Sequence, residues 1–374
     1  MACAENILMA KEIVEADPQR RFVVVSAPGK CAGLFERKIT DLLIDAHAQL
    51  CFADVTDSLD AVLARFCGLA IELGIDMDCE IERVREEIII NKCDYDFVIS
   101  RGEYLMAQLF AKVLGYTFLD AANYVAIKSN GRLDEKATAK RLSYSILNTQ
   151  YSTKTKGYVM GGFYGTLVPQ GSARSAGSYR HGECGVKTFT RGGSDYSGAI
   201  AAVCLGAQVY ENFTDTYGVQ SANPALVSNT TNIAEIDYAT LHKLCLGGAT
   251  VIHPATIPLL KKHGVPLRVD NTFDPGQKFT LVTNKKPTNA YFSITYETKQ
   301  NINKDTVEIL CIYNKIEFGF EELRKLLCNI EVYLVEFTKA SFRLLTTAGN
   351  LCSVVRLLHA TFLSKQAAHL CRPG

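Results

Sequence analysis

The sequence lacks an excess of charge of either sign, because 40 lysines and arginines face 39 aspartates and glutamates, for a formal net charge of +1. This balance removes the electrostatic reason to expect nucleic acid or an anionic membrane surface as a partner. No stretch approaches the roughly 20 apolar residues of a membrane-spanning helix. The first ten residues show no basic segment followed by a sustained apolar one, which argues against a signal peptide. We therefore expect a cytoplasmic protein that binds neither nucleic acid nor membrane.

Metal-binding cysteine patterns are also missing. The 13 cysteines form no Cys-x-x-Cys pair and no cluster with histidine at zinc spacing. In a long chain of this kind, scattered cysteines behave as small apolar residues of a reduced protein. We predict no metal site and no disulfide framework built from them.

The length favours more than one domain, because 374 residues exceed what one ordinary compact core accommodates. Up to residue 284, patterns typical of strands alternate with patterns typical of helices. The β-branched run Phe22–Val25 predicts a buried strand that stops at the turn Ser26-Ala27-Pro28-Gly29. Strands separated by helices favour a mostly parallel sheet covered on both faces, so residues 1–284 are predicted to form an α/β domain.

The predicted elements of this domain follow from local periodicity. Apolar residues at three- and four-residue spacing predict helices over residues 40–50, 58–73, 80–90 and 97–114. Short strands are predicted over residues 117–119, 124–127, 158–163, 208–211, 267–270 and 279–282. Residues 166–188 interrupt this order, and the small polar segment 171–178 is expected to be a surface loop. Its arginines and His181 suggest phosphate binding, with a solvated insertion as the alternative.

Beyond residue 284 the pattern changes to strand, strand, helix, strand, strand, with short connections. The strands are predicted over residues 290–298, 307–313, 331–338 and 342–346, and the helix over 320–327. This order favours a small α+β regulatory domain over residues 285–350. Residues 351–374 are apolar without a clear period and stay unassigned.

The strongest local motif is Thr188-Phe189-Thr190-Arg191-Gly192-Gly193-Ser194-Asp195, which precedes a predicted helix of small residues. Two glycines let the backbone approach a ligand closely, and the free N–H groups of a first helical turn favour an anion. Arg191 adds a planar donor suited to a carboxylate or a phosphate. The alternative is a helix N-cap at Ser194 after a glycine turn.

Other motifs leave two interpretations each. Within Ser100-Arg101-Gly102-Glu103, Glu103 is either a capping-box acid that answers Ser100 or a substrate ligand. Thr214 and Asp215 leave a predicted strand, where open α/β sheets bind ligands, although Asp215 also suits an Asx-turn. His253 is interpreted as structural, because the following Pro254 suits the first turn of a helix.

Taken in order, these motifs resemble those of the aspartokinases. The matching segments are Ser26-Ala27-Pro28-Gly29-Lys30, Ser100-Arg101-Gly102-Glu103, Gly162-Phe163-Tyr164-Gly165, Arg191-Gly192-Gly193-Ser194-Asp195, Thr214-Asp215 and His253-Pro254. The similarity covers nearly all of residues 1–284 and implies the three-layer α/β amino-acid kinase fold. For residues 285–350 it implies an ACT-like regulatory domain.

The resemblance also implies a reaction. It predicts transfer of the terminal phosphoryl group of ATP, with Mg²⁺, to the side-chain carboxylate of L-aspartate, a first step toward lysine, threonine and methionine. No protein nucleophile is needed, so positioning and charge neutralisation carry the rate. The implied catalytic residues are Arg191 and Asp195. The implied aspartate contacts are Thr40, Glu103, Arg191 and Ser194, with Arg191 on the α-carboxylate and Glu103 on the ammonium group. The implied nucleotide contacts are Gly192, Gly193, Thr214 and Asp215.

Three departures from the family pattern bear on activity. Relatives begin with a strand and a Lys-Phe-Gly-Gly loop, and Met1-Ala2-Cys3-Ala4-Glu5 corresponds to residues just after it, so we expect an N-terminally truncated gene model rather than a deliberate pseudokinase. The family's Asp-Pro-Arg is Asn223-Pro224-Ala225, and Thr250 replaces a frequent lysine. Losing a cation aimed at developing phosphate charge costs several orders of magnitude in rate.

Three functions therefore stay open. They are an active aspartate kinase, an amino-acid kinase for a different acid, and a catalytically impaired or inactive aspartate-binding regulatory subunit. The resemblance further implies lysine or threonine as an allosteric effector and a homodimer formed through ACT modules. A single module, over residues 289–347, is recognisable in the sequence.

Overall fold

The structure is a computed structural model that describes residues 1–50, 52, 56–147, 155–168, 185–190, 192–299 and 305–370. The chain divides into two compact units, Met1–Ala207 and Gln208–Gly374. Each unit has its own sheets. The predicted domain boundary between residues 284 and 285 falls inside the second unit, and that boundary stays a prediction.

The first unit is built of helices around two small sheets. Its helices are α1 (Ala4–Glu15), α2 (Ile39–Leu50), α3 (Asp57–Leu73), α4 (Asp78–Ile90), α5 (Tyr95–Leu114), α6 (Ala121–Tyr124), α7 (Glu135–Leu147) and α8 (Gly193–Cys204). Its strands are β1 (Phe22–Val25), β2 (Thr117–Leu119), β3 (Ala126–Lys128), β4 (Tyr158–Gly161), β5 (Tyr164–Val168) and β6 (Val186–Thr188).

The sheet that leads to the site has the order β1-β4-β2, and both pairings are parallel. The register pairs Val25 with Gly161, so β1 and β4 end at the same level. The predicted strand is present, but its predicted burial applies to Val25 alone, because the other three residues of β1 are half-buried. In the described part of the chain β1 pairs with β4 alone, which leaves it at an edge.

The second sheet of this unit corrects two predictions. β5 pairs with β3 in parallel and with β6 in antiparallel fashion. The ends of the predicted interruption at 166–188 are therefore strands, whereas residues 169–184, including the predicted loop 171–178 and His181, lie outside the described residues. The strand predicted over 124–127 begins later, because residue 124 ends α6 and β3 starts at residue 126.

The long helix α5 starts and ends at local signals. Asp94 caps its N-terminus, with the side chain accepting a hydrogen bond from the Phe97 N–H at 3.0 Å. Gly115 ends it in the left-handed conformation, which glycine adopts without penalty. Ser100 and Glu103 are consequently interior residues of α5. The capping-box interpretation, in which Ser100 is the N-cap residue and Glu103 answers it, is wrong, because the N-cap residue of α5 is Asp94.

The second unit contains the remaining elements. Its helices are α9 (Tyr238–Leu246), α10 (Thr256–His263), α11 (Phe320–Leu326) and α12 (Leu351–Leu370). Its strands are β7 (Tyr210–Thr214), β8 (Glu235–Asp237), β9 (Leu267–Asn271), β10 (Thr280–Thr283), β11 (Tyr291–Thr298), β12 (Thr306–Asn314), β13 (Val332–Phe337) and β14 (Ser341–Thr347). The order β7-β9-β10-β8 has two parallel pairings and one antiparallel pairing, between β9 and β10.

The predicted strand–strand–helix–strand–strand order is confirmed in an antiparallel sheet with the order β11-β12-β14-β13. The unassigned tail forms α12 up to Leu370. Val354, Val355, Leu358 and Phe362 of α12 join a buried cluster with alternate residues of β11, β12 and β14 and with Leu323 of α11. The two helices thus cover one face of the sheet. None of the helices in the described residues is long and apolar enough to cross a membrane.

Candidate functional site

Glu103 is the most unusual acid of the first unit. Its side chain is 5% exposed, although a carboxylate is rarely buried without a partner. Burial raises the pKa of Glu103 to about 8, against the opposing effects of a hydrogen bond from the Ala27 N–H and of the Arg101 charge. Its Oε2 atom has no hydrogen-bond partner in the structure. A buried acid with one unused oxygen is suited to a cationic ligand group.

Close backbone contacts bring several predicted residues to Glu103. A Cβ atom added at Gly161 would lie 3.0 Å from the Glu103 carbonyl oxygen, so α5 rests directly on the end of β4. A Cβ added at Gly162 would lie 2.7 Å from the Ser194 Cα atom. The end of β4 is therefore packed between α5 and the start of α8, and glycine is required there for lack of space.

The other side of Glu103 faces the start of α2. A Cβ added at the preceding Gly102 would lie 2.8 Å from the Ile39 Cγ2 atom and 3.0 Å from the Ala27 Cβ atom. The Ile39 N–H donates a hydrogen bond to the Pro28 carbonyl at 3.2 Å. Thr40, the predicted aspartate contact, is the next residue and is half-buried. The motif after β1 and the first turn of α2 thus lie beside the Glu103 segment of α5.

The glycine turn at 192–193 starts α8 as predicted, but the cap differs. Gly192 is the N-cap residue and has φ 86° and ψ 7°, a left-handed conformation that favours glycine. The helix begins at Gly193, so the N-cap interpretation of Ser194 is wrong. Asp195 lies in the first turn and is half-buried. Arg191, predicted to bind the α-carboxylate, lies outside the described residues.

The turn between β4 and β5 is held in a strained conformation. Phe163 has φ 78°, a region that costs a residue with a side chain about 1 to 2 kcal/mol. Three hydrogen bonds fix this turn: Gly162 N–H to Val25 carbonyl at 2.9 Å, Phe163 N–H to Ser197 Oγ at 3.0 Å, and Phe189 N–H to Phe163 carbonyl at 2.7 Å. These hydrogen bonds connect the turn to β1, to α8 and to Phe189, which precedes the glycine turn.

Sequence reasoning missed the role of Arg101. Its side chain is 1% exposed, and its guanidinium carbon lies 4.3 Å from the ring centroids of both Phe97 and Tyr104. Its Nη1 atom is 3.9 Å from Glu87 Oε2. Aromatic residues four before and three after an arginine on a helix were the available signal, because residues at that spacing share a face. Arg101 contributes a buried positive charge near Glu103.

Two of the four positions assigned to the nucleotide, Thr214 and Asp215, belong to the second unit. Thr214 is the last residue of β7, and its Oγ1 atom donates a hydrogen bond to the exposed Asp215 at 3.2 Å. Parallel pairing aligns Thr214 with Asn271 at the end of β9. The neighbouring Asp270 is 1% exposed and accepts hydrogen bonds from Arg268 and from the N–H groups of Asn271 and Gly276. Hydrogen bonds to Asp270 therefore fix the backbone at this end of the sheet, where Thr214 ends β7 and Asp215 follows it.

The hydrogen bonds of His253 are consistent with the structural role predicted for it. Its Nδ1 atom accepts a hydrogen bond from the Ala255 N–H at 3.3 Å, and its carbonyl accepts one from the Thr256 N–H at 3.0 Å. The helix α10 begins at Thr256, so Pro254 precedes the first turn instead of lying in it.

A family model described as "Amino acid kinase family" matches residues 6–271, which is more than half of the chain. The chain belongs to the amino acid kinase family. The resemblance to aspartokinases is confirmed by the curated relatives. Aspartokinase 3 of Bacillus subtilis is 33% identical over 286 residues, covering 73% of this chain and 59% of the relative. Lysine-sensitive aspartokinase 3 of Escherichia coli is 27% identical over 382 residues, covering 96% of this chain and 79% of the relative.

Solved structures confirm the predicted amino-acid kinase fold. Aspartate kinase from Clostridium acetobutylicum matches with a TM-score of 0.80 and 22% identity, covering 97% of this chain and 98% of that chain. Escherichia coli aspartokinase III in complex with aspartate and ADP matches with a TM-score of 0.75 and 20% identity, covering 96% of each chain. The chain spans 59% of the length of the Bacillus subtilis relative.

Proposed function

We propose that the chain is an aspartate kinase, which transfers the terminal phosphoryl group of ATP to the side-chain carboxylate of L-aspartate and forms 4-phospho-L-aspartate. The observation that carries this proposal is the buried Glu103 carboxyl with its unpartnered Oε2 atom. The ammonium group of an amino acid supplies the charge and the donors that this oxygen lacks. The names of the curated relatives support aspartate as that amino acid.

Aspartate binding is assigned to the residues that surround Glu103. Thr40 and Ser194 lie on segments that contact the Glu103 region through Ile39 and Gly162. Arg191 precedes the glycine turn of α8, and its planar guanidinium suits the α-carboxylate. With both charged ends of aspartate held, its side-chain carboxylate is free to act as the nucleophile.

Within the first unit, the nucleotide phosphates are assigned to the glycine turn and to Asp195; in the second unit, Thr214 and Asp215 are separate candidate nucleotide contacts. Gly192 and Gly193 permit close approach of a phosphate to the backbone, and the first-turn N–H groups of α8 favour negative charge. A bound Mg²⁺ ion would neutralise phosphate charge, and we assign the half-buried Asp195 as the acid that would hold it. Thr214 and Asp215 emerge at the carboxyl end of β7, where α/β sheets bind nucleotides.

The test separates binding from turnover. Calorimetry with L-aspartate should show binding to the chain, and Arg191→Ala should weaken it at least about tenfold, because a charge-assisted bidentate contact is lost. Turnover is followed by trapping the acyl phosphate with hydroxylamine. Since the 374 residues contain no Lys-Phe-Gly-Gly segment, turnover is measured on this chain and on a longer chain that adds the strand and loop of a relative.

Each outcome selects one function. Hydroxamate from the longer chain supports the kinase, and its absence there would end the kinase claim. Aspartate binding without hydroxamate from either chain would favour the regulatory, catalytically inactive function. Unchanged aspartate affinity in Arg191→Ala would rule out the assignment of that arginine to the α-carboxylate.

Lysine is proposed as the effector, because one curated relative is named lysine-sensitive and a solved relative was obtained with lysine and aspartate. In the second unit, a groove of about 740 Å³ lies between residues 316–319, before α11, and residues 337–339, after β13. Glu317 provides an acid there for the lysine side chain.

We expect calorimetry to show that lysine binds to the chain and that Glu317→Gln weakens this binding about tenfold. Equal binding of threonine would contradict lysine as the specific effector.

A homodimer is proposed through the exposed edge of the ACT-like sheet. β13 is an edge strand, and its residues Tyr333, Leu334 and Val335 are 40–63% exposed. Pairing with a second β13 would satisfy the backbone groups that this edge leaves unpaired and would bring the same exposed side chains of two chains next to each other.

A further inference from the structure

A cavity outside both proposed sites lies in the second unit. It has a volume of about 310 Å³ and lies between the loop 224–229 and three residues of α12, namely Arg356, His359 and Ala360. This loop contains Pro224 and Ala225, and it is anchored to the rest of the unit by Asn223, whose Nδ2 atom donates a hydrogen bond to Tyr296 Oη at 3.1 Å. No acidic residue is among the lining residues that the structure describes.

His359 supplies a buried donor to this cavity. Its side chain is 1% exposed, and its Nε2 atom is 2.9 Å from Ser221 Oγ. The same Ser221 Oγ accepts a hydrogen bond from the Thr231 N–H at 2.9 Å, so its own hydrogen is available for Nε2. Burial lowers the pKa of His359, which favours the neutral ring. Within the described residues Nε2 is the acceptor in reach of the Ser221 hydroxyl hydrogen, which favours the tautomer that carries the ring hydrogen on Nδ1.

Nδ1 is the donor of His359 that the fold does not use. Within the described residues the hydrogen bonds of His359 are limited to the one at Nε2. His359 is also a lining residue of the cavity. An acceptor atom of a ligand in the cavity could therefore form a hydrogen bond with this N–H group.

Arg356 adds a fixed positive charge at the same cavity. Its Nε atom donates a hydrogen bond to the Leu226 carbonyl at 2.9 Å, which holds the guanidinium against the loop. Its Nη groups have no ion pair or hydrogen bond to any described residue. Arg356 and His359 are three residues apart on α12, so both side chains lie on the same side of the helix.

We propose that this cavity is a binding site for a small anion, held through a carboxylate or phosphoryl group by the Arg356 Nη groups and the His359 Nδ1–H group. The two donors are neighbours on α12. The loop orients Arg356 through the Leu226 carbonyl, and Ser221 orients His359. The lining residues Ser228 and Asn229 offer further polar contacts. The four polar lining residues of the cavity, Ser228, Asn229, Arg356 and His359, are not among the proposed aspartate or nucleotide contacts.

The experiment is calorimetric titration of the whole chain with inorganic phosphate and, separately, with acetate, at a constant ionic strength set with chloride. We expect saturable binding of at least one of the two ions. Arg356→Gln should weaken that binding at least about tenfold, because the charge-assisted contacts are lost. Arg356→Lys, which keeps the charge but loses the planar fork, should be intermediate.

The matched control is Lys325→Gln, which removes an exposed positive charge of the same unit away from the cavity. It should bind as the unaltered chain does. Loss of phosphate binding alone in Arg356→Gln identifies a phosphorylated ligand, loss of acetate binding alone a carboxylate ligand, and loss of both the shared chemistry. The proposal is overturned if neither ion binds saturably, if Arg356→Gln binds as tightly as the unaltered chain, or if Lys325→Gln weakens binding equally.

Discussion

Glu103→Gln is expected to abolish most aspartate binding and, at the same time, to stabilise the protein at alkaline pH. The amide keeps the size of the side chain but cannot carry the charge that the ammonium group of aspartate requires. Removing one member of a buried charged pair costs several kcal/mol, so we expect an affinity loss of about 100-fold or more. Calorimetry with L-aspartate at pH 8 measures this loss.

The stability change follows from the direction of the pKa displacement. The pKa of Glu103 is raised from 4.5 to about 8 by burial. Between these values the folded chain keeps a proton that the unfolded chain releases, so the free energy of unfolding falls as the pH rises. Glutamine carries no such proton. The free energy of unfolding, measured in urea, should therefore increase for Glu103→Gln relative to the unaltered protein between pH 5 and pH 8, by a total on the order of 2 to 4 kcal/mol.

The same displacement predicts how aspartate affinity depends on pH. Binding favours the ionised carboxyl, so below pH 8 the ligand must displace a proton from Glu103. The affinity of the unaltered protein for aspartate should then rise with pH up to about 8, by at most about tenfold for each increase of one pH unit. The exposed Glu86 on α4 offers a control, since Glu86→Gln should change neither binding nor the pH dependence of unfolding. An affinity that is flat from pH 6 to pH 8 would contradict the proposed ammonium contact.

The helices with regular apolar spacing were predictable from the sequence. Residues 40–50 and 97–114 were predicted as helices, and α2 and α5 span Ile39–Leu50 and Tyr95–Leu114. The helix α12 was not predictable in this way. Its buried residues include Val354, Leu358 and Phe362, at helical spacing, but Leu357 is 40% exposed and other apolar residues also face outward. Apolar residues on both faces obscure the period.

The candidate site was predictable only in its residue types. The motifs indicated Glu103 and the glycine turn of α8, but local spacing allowed Glu103 to be a capping acid. Long-range burial decided between these interpretations, because Asp94 caps α5 and Glu103 contacts Ala27, 76 positions earlier in the chain. Nor did the sequence show why Gly162 is a glycine, since its neighbour Ser194 is 32 positions away. Contacts of this kind arise only when the sheet and the helices pack together.

Gly162→Ala is expected to weaken aspartate binding at least about tenfold, because displacing Ser194, a proposed aspartate contact, removes interactions worth about 1.4 kcal/mol. The backbone of Gly162 is not left-handed, so alanine is compatible with its conformation. The obstacle is space, because the new Cβ atom would lie 2.7 Å from both the Cα and Cβ atoms of Ser194. Backbone atoms at the start of α8 must then move, and Asp195 moves with them. Such overpacking costs about 1 to 3 kcal/mol of stability.

The matched control for this substitution is Gly68→Ala in the interior of α3. An added Cβ there meets no heavy atom within 4 Å, and alanine is the better helix former by about 0.5 to 1 kcal/mol. Gly68→Ala should therefore raise the urea midpoint and leave aspartate affinity unchanged, whereas Gly162→Ala should lower both. If Gly162→Ala is destabilised but binds aspartate normally, the contact between β4 and α8 is structural only. The aspartate site would then have to be sought away from Ser194 and Asp195.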